Sequence, residues 1–220
     1  NDWRVLRYDQ RGHGGTDATK PPYTFDLLVQ DLVSLWDVLG VKRSVLCGLS
    51  MGGTTGLGIG IDYDERLTAY IGCDLPHHSP EGFIHAWSER QAMATEGGME
   101  GMAQPTATRW FTEKFANDPQ NAVTMKKITN MISSTKLDGF LGCSGALKTI
   151  DYHGRIEKIK APTLFISGAE DPAAGPHEMA PLLDMLPGTK MHVVPDAGHI
   201  ANMENADNFN SALTGFLNSL

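Results

Sequence analysis

A serine with glycines two residues before and two after it, Gly48-Leu49-Ser50-Met51-Gly52, constrains this chain more than any other feature because of what flanks it. Upstream, Ser44-Val45-Leu46-Cys47-Gly48-Leu49 is a short apolar run with the texture of a parallel strand buried on both faces; downstream, a glycine-studded helix is expected from about Gly52. So sharp a strand-to-helix turn forces Ser50 into strained backbone geometry, and glycines at 48 and 52 are expected to leave room for the crossing chain. The turn lifts the Ser50 hydroxyl clear of the sheet. It also aims the Met51 amide, with the positive end of the helix, at the place where an oxyanion would form. The bare pattern arises by chance in roughly one chain in ten or twenty of this length; the strand and helix around it give it meaning.

A hydroxyl needs a base to take its proton, and the base needs a third group to fix its tautomer. Both are expected in the order serine, acid, histidine. Asp171, in Gly168-Ala169-Glu170-Asp171-Pro172, follows the apolar strand 163–167, and His199, in Pro195-Asp196-Ala197-Gly198-His199, follows the strand 190–194. Glu170 and Asp196 are alternative acids; Asp171 is preferred because it sits deeper in its loop, directly before a proline. In an open parallel sheet the loops carrying Ser50, Asp171 and His199 emerge along one edge, where ligands bind.

The remaining texture fits this arrangement. Trp3–Tyr8 reads as a further strand leading into the glycine-rich loop from Asp9 to Gly15, where His13 is expected to brace the site. Apolar residues from Phe25 to Leu39 recur at helical intervals and stop at Gly40. Leu67–Cys73 reads as another buried strand. From about Pro76 to Tyr152 the pattern is helical, rich in Met and aromatics, with no convincing strand, so residues 1–75 and 153–220 are expected to form an α/β core and 76–152 a helical cap. Helices are expected from Met179 to Leu186 and from Ala206 to Leu220.

A chain of 220 residues with a formal charge of −8 and no basic run does not suit nucleic acid or an anionic membrane surface. No apolar run approaches the ~20 residues of a membrane span. Cys47, Cys73 and Cys143 read as small buried hydrophobes, which favours a reducing, cytoplasmic setting. The start, Asn1-Asp2-Trp3, lacks an initiator Met, so a removed targeting segment stays open. Adjacent His77 and His78 suggest a polar pocket rim; as metal ligands they are not expected, since neighbouring side chains diverge and no third ligand has useful spacing.

Tyr8-Asp9-Gln10-Arg11-Gly12-His13-Gly14, Cys47-Gly48-Leu49-Ser50-Met51-Gly52-Gly53, Gly168-Ala169-Glu170-Asp171-Pro172 and Gly198-His199 with Met203-Glu204 resemble the α/β-hydrolase superfamily, and most of all its 3-oxoadipate enol-lactonases. The likeness extends through Trp87-Ser88-Glu89-Arg90, Gly97-Gly98-Met99-Glu100, Arg109-Trp110-Phe111-Thr112 and Gly139-Phe140-Leu141-Gly142-Cys143. Cys73-Asp74-Leu75-Pro76-His77-His78 departs from the small and amide side chains that such lactonases carry there. The resemblance implies a mostly parallel sheet with helices on both faces and a helical cap. It also implies a strand before Trp3 whose following loop gives the first oxyanion amide, so an amino-terminally incomplete chain is expected.

The resemblance further implies a serine hydrolase acting through Ser50, His199 and Asp171, with the Met51 amide in the oxyanion hole. It would open a small carboxylate-bearing lactone without metal or organic cofactor. Arg90 and Arg109 are candidates to meet the carboxylate, since a guanidinium offers paired donors, and Trp87 and Trp110 to wall the pocket. A short-chain esterase or perhydrolase-like enzyme is the alternative substrate reading, and a non-catalytic relative or inactive fragment the alternative of another class. The expected partner is a small molecule, with a homodimer left open.

Overall fold

The computed structural model describes residues 3–220; Asn1 and Asp2, which carry the unusual start, lie outside the described residues. Four parallel strands, β1 (Ser44–Leu49), β2 (Leu67–Cys73), β3 (Thr163–Gly168) and β4 (Lys190–Val194), form one sheet in the order 1-2-3-4. Every residue expected to do chemistry on this sheet follows the carboxyl end of a strand.

Helix α1 (Phe25–Val38) is set by its sequence. The Thr24 hydroxyl accepts from the Leu27 amide at the start, and Gly40 at φ +69° supplies the left-handed turn at the end. Between them Phe25, Leu28, Val29, Leu32, Val33 and Trp36 recur on one buried face. That face joins α2 (Met51–Asp62), and the two cover the side of the sheet carrying Tyr70 and Phe165. The other side, with Ile71, Leu164 and Ile166, packs against α10 (Ala206–Leu217) through Phe209. Both faces are therefore closed, and each fully buried Leu or Ile contributes ~1.5–3 kcal/mol.

Between β2 and β3 the chain forms α3 (Glu81–Trp110), α4 (Glu113–Asn117), α5 (Ala122–Ser133) and α6 (Leu137–Leu147). Gly98, at φ 71° and ψ 176°, kinks α3 into two helices. These helices own a separate core, in which Met102, Ala107, Phe111, Met125, Ile128 and Ile132 surround Ile200 from the loop after β4. An isolated antiparallel bridge, His78 to Asp151, joins the two crossings between sheet and helical segment.

Several expectations need correction. Trp3–Tyr8 forms no strand: Val5 and its neighbours are exposed, because the segment has no partner strand among the described residues to complete a ladder. β1 pairs with β2 alone among those residues, so one edge is open and its burial is partial: Leu46 packs on one face and Val45 and Leu49 on the other, but Cys47 is exposed; Cys73 and Cys143 are buried as expected. The expected helix over 179–186 breaks at Pro181 into α7 (Pro176–Met179) and α8 (Pro181–Met185), since proline cannot donate into the preceding turn. A short α9 (Ala201–Glu204) precedes α10. No helix of the described residues is long and apolar enough to cross a membrane.

Candidate active site

Ser50 stands between β1 and α2 at φ 52° and ψ −117°, a backbone region that side chains rarely occupy. Its amide donates to the Cys73 carbonyl at 2.7 Å, which pins the turn to the next strand. A Cβ on Gly48 would lie 2.3 Å from the Gly52 carbonyl oxygen, so Gly48 is required for the crossing. The second glycine of the expected pair is not: a Cβ on Gly52 meets nothing within 4 Å, whereas one on Gly53 would strike Leu75 and the Gly48 carbonyl at 2.9 Å. Strand and helix thus touch at positions 48 and 53. The Met51 amide lies in the first turn of α2, where N–H groups have no partner inside the helix.

The histidine and acid expected to act together are joined. His199 Nδ1 and Asp171 Oδ2 are 2.7 Å apart, and both side chains are almost wholly buried. Burial by itself would raise the Asp171 pKa, but the hydrogen bond and charge of His199, with the amides of Ala173 and Ala174, outweigh it and hold the carboxyl low. Asp171 Oδ1 accepts from the Ala173 amide at 2.8 Å. Glu170, the alternative acid, is exposed, and Asp196 is exposed at φ 51°. Among the described residues no hydrogen bond joins the Ser50 hydroxyl to the imidazole.

Trp110 tilts toward His199 with ring centres 6.4 Å apart, and its carbonyl accepts from the Ile200 amide at 3.2 Å. Trp87 lies against Phe83 and Phe140, and its indole N–H is buried without a hydrogen-bond partner. The Arg90 guanidinium sits 4.7 Å from the centre of the Trp87 ring. Arg109 is partly buried; burial, then the charge of Arg90, lower its pKa to about 10, against an opposing pull from Asp171, so it stays charged at neutral pH. Neither guanidinium is paired with a carboxylate among the described residues. His13 Nδ1 lies 3.2 Å from the Arg11 carbonyl and 4.0 Å from Cys143 Sγ.

Two residues without an assigned role emerge from the packing. Asp74, after β2 at φ 42°, is fully buried; its Oδ1 accepts from Ser167 Oγ and the Gly168 amide, and no donor of the described residues reaches its Oδ2. Burial, then the nearby charge of Asp171, push its pKa up to about 8, which leaves the carboxyl protonated at neutral pH. Glu204, on α9, accepts from the amides of Gly198 and Thr112 and from the Thr112 hydroxyl, tying the His199 loop to the start of α4. Neither had a local signal beyond an acid next to a strand or a histidine loop.

The expectation that His77 and His78 diverge is overturned. Their ring centres are 4.5 Å apart, and His153 brings a third ring within 5.1 Å of His78 and 5.7 Å of His77. Burial, then the charges of His78 and His153, lower the His77 pKa to about 4.

Comparison with known proteins agrees with this geometry. Residues 1–206 match the family model described as the alpha/beta hydrolase fold. A 3-oxoadipate enol-lactonase of Acinetobacter baylyi is 32% identical over 95% of this chain and 76% of its own length. The crystal structure of an enol-lactonase from Burkholderia xenovorans is 34% identical, with a TM-score of 0.92 over 98% of this chain and 81% of that one. A thermophilic esterase from Thermogutta terrifontis is 27% identical, with a TM-score of 0.86 over 96% of this chain and 78% of that one. A sheet, a strained serine turn, a paired acid and histidine and these relatives converge on one conclusion: the chain belongs to the α/β-hydrolase family, among hydrolases of lactone and ester type.

Proposed function

We propose that this protein is a serine hydrolase that opens a small carboxylate-bearing lactone, similar to 3-oxoadipate enol-lactone. The observation that carries the reading is the buried 2.7 Å pair of His199 and Asp171, one sheet edge shared with the strained turn at Ser50. In that reading Ser50 Oγ bonds to the lactone carbonyl carbon while its proton passes to His199 Nε2, and Asp171 holds the ring and the charge it gains. The Met51 amide supports the oxyanion. When the tetrahedral intermediate collapses, the ring C–O bond breaks and the leaving oxygen takes the proton from His199. An enol leaving group can then ketonise, which draws the reaction forward. Water, deprotonated by His199, attacks the acyl carbon and frees Ser50.

Substrate choice rests on Arg90 and Arg109, two partly buried guanidiniums in no ion pair with a carboxylate of the described residues, and on the Trp87 indole N–H, which has no hydrogen-bond partner among them. A carboxylate entering there gains paired donors. The similarity to a known esterase favours, as a second reading, hydrolysis of short-chain esters by the same residues.

Fluorophosphonate labelling tests the chemistry: one adduct on Ser50 is expected, absent in Ser50→Ala and much slower in His199→Ala. A folded sample that takes no label removes the enzyme reading. A panel of lactones and p-nitrophenyl esters tests the substrate. Arg90→Gln and Arg109→Gln are each expected to raise KM for carboxylate-bearing lactones about 10–100-fold with little change for neutral esters. Equal effects on both classes favour the esterase.

A further inference from the structure

We propose that His77, His78 and His153 form a binding site for one divalent first-row transition ion, Zn²⁺ foremost, at the neck between the sheet and the helical segment. One ring nitrogen from each of the three imidazoles falls within 4.8 Å of the other two. Three ligands bonded to Zn²⁺ at ~2.0–2.1 Å in a tetrahedral array sit ~3.3 Å from one another, so small rotations of the exposed ring are enough to close the set. Nothing else in the neighbourhood explains the convergence. Three basic rings stacked together repel whenever they are protonated, and the cluster gains no carboxylate among the ion pairs of the described residues.

The backbone holds the donors where they are. His77 is buried, and its carbonyl accepts from the Tyr152 amide at 3.3 Å; His78 bridges to Asp151; the His153 amide donates to the Asp151 carboxylate at 3.2 Å. A buried, a half-buried and an exposed imidazole leave the fourth position facing outward, toward water. A cleft of about 30 Å³ beside His77 and His78, also lined by Ala173 and Glu178, has room for such a ligand. Imidazole nitrogen without thiolate selects Zn²⁺, Ni²⁺ or Cu²⁺ over Ca²⁺ and Mg²⁺.

The site has a mechanical meaning. His77 and His78 come directly after β2, where the chain leaves the sheet, and His153 lies just before it returns to β3. An ion held by all three would staple the two crossings together and reduce the freedom of the helical segment.

Titration of the metal-stripped chain with Zn²⁺, and with Co²⁺ for its visible spectrum, tests this. One ion per chain and a Co²⁺ spectrum of a four-coordinate site with three nitrogen ligands are expected. At a hundredfold excess over Kd the Tm should rise by about 5–10 °C. His153→Ala, an exposed change that leaves the fold intact by circular dichroism, should weaken binding on the order of a hundredfold or more, as should His78→Ala. His85→Ala, His177→Ala and His199→Ala should keep full affinity. Binding that survives His153→Ala and His78→Ala, or no binding and no Tm shift in the parent chain, overturns the proposal.

Discussion

Asp74 shows how a single side chain can carry a role that only three dimensions reveal. Its carboxyl is buried beside that of Asp171, and two like charges there would repel, so the proton stays on Asp74 up to about pH 8. An unfolded aspartate loses its proton near ~3.9. Between those values the folded chain holds a proton that the unfolded chain has released, so stability falls as pH rises through the window. Asp171 acts in the opposite sense: its depressed folded value contributes stability above the unfolded pKa that is lost as pH falls through the folded one. Asp74→Asn keeps an acceptor for Ser167 and Gly168 and cannot ionise. The Tm of the variant relative to the parent is therefore expected to climb from about pH 5 to about pH 8, measured by thermal denaturation across that range; a constant difference would refute the protonated acid. The pairing of Asp171 with His199 could be anticipated from the sequence because each sits in a short loop after an apolar run, as does Ser50. Asp74 was not, since its partner lies far along the chain and proximity leaves no local trace.

At the scale of elements, the loop after β4 is held from outside. Glu204 takes three donors from two different loops, and as a charged acceptor it contributes more than a neutral side chain would. Glu204→Ala leaves the Gly198 and Thr112 amides short of an acceptor. A loss of about 2–4 kcal/mol in urea denaturation is expected, with slower labelling of Ser50 as His199 loosens. Unchanged stability would mean that water replaces the carboxylate without cost. The helical segment was readable in outline from its periodicity, and the strands β1 to β4 to within a residue or two. Trp3–Tyr8 was misread because a run of apolar and aromatic residues suits a strand but says nothing of its neighbours, while Pro181 divided one expected helix into two.

Across the whole molecule, two closed faces and a separate helical core surround a sheet that is open along β1. Hydrogen exchange should register that asymmetry: amides of β2 and β3 are expected to be the slowest, and the amides of β1 turned away from β2 to exchange much faster. Uniform protection of β1 would show that something covers the edge. The helical core and the sheet are not independent bodies, because Ile200 belongs to the first and follows His199 directly. The histidine cluster at the neck escaped sequence reading for the same reason as Asp74: its third member arrives from the far side of the helical segment.

Strands β1 and β4 lie three places apart, about 14 Å at the usual spacing, and the loop that carries His199 after β4 doubles back over the end of β3, where the Glu170 amide donates to the Ala197 carbonyl at 2.9 Å. It does so where Gly168 and Gly198 cross with nothing between them: a methyl on Gly168 would fall 2.0 Å from the Gly198 carbonyl oxygen. Gly168→Ala must therefore lift the whole return path while leaving the alcohol's own bend untouched. Such a protein is expected to keep its circular dichroism and lose most of its turnover, and normal turnover would show that the overpass tolerates a wider gap. The height at which the His199 loop passes over β3 is set by the bare width of two backbones crossing.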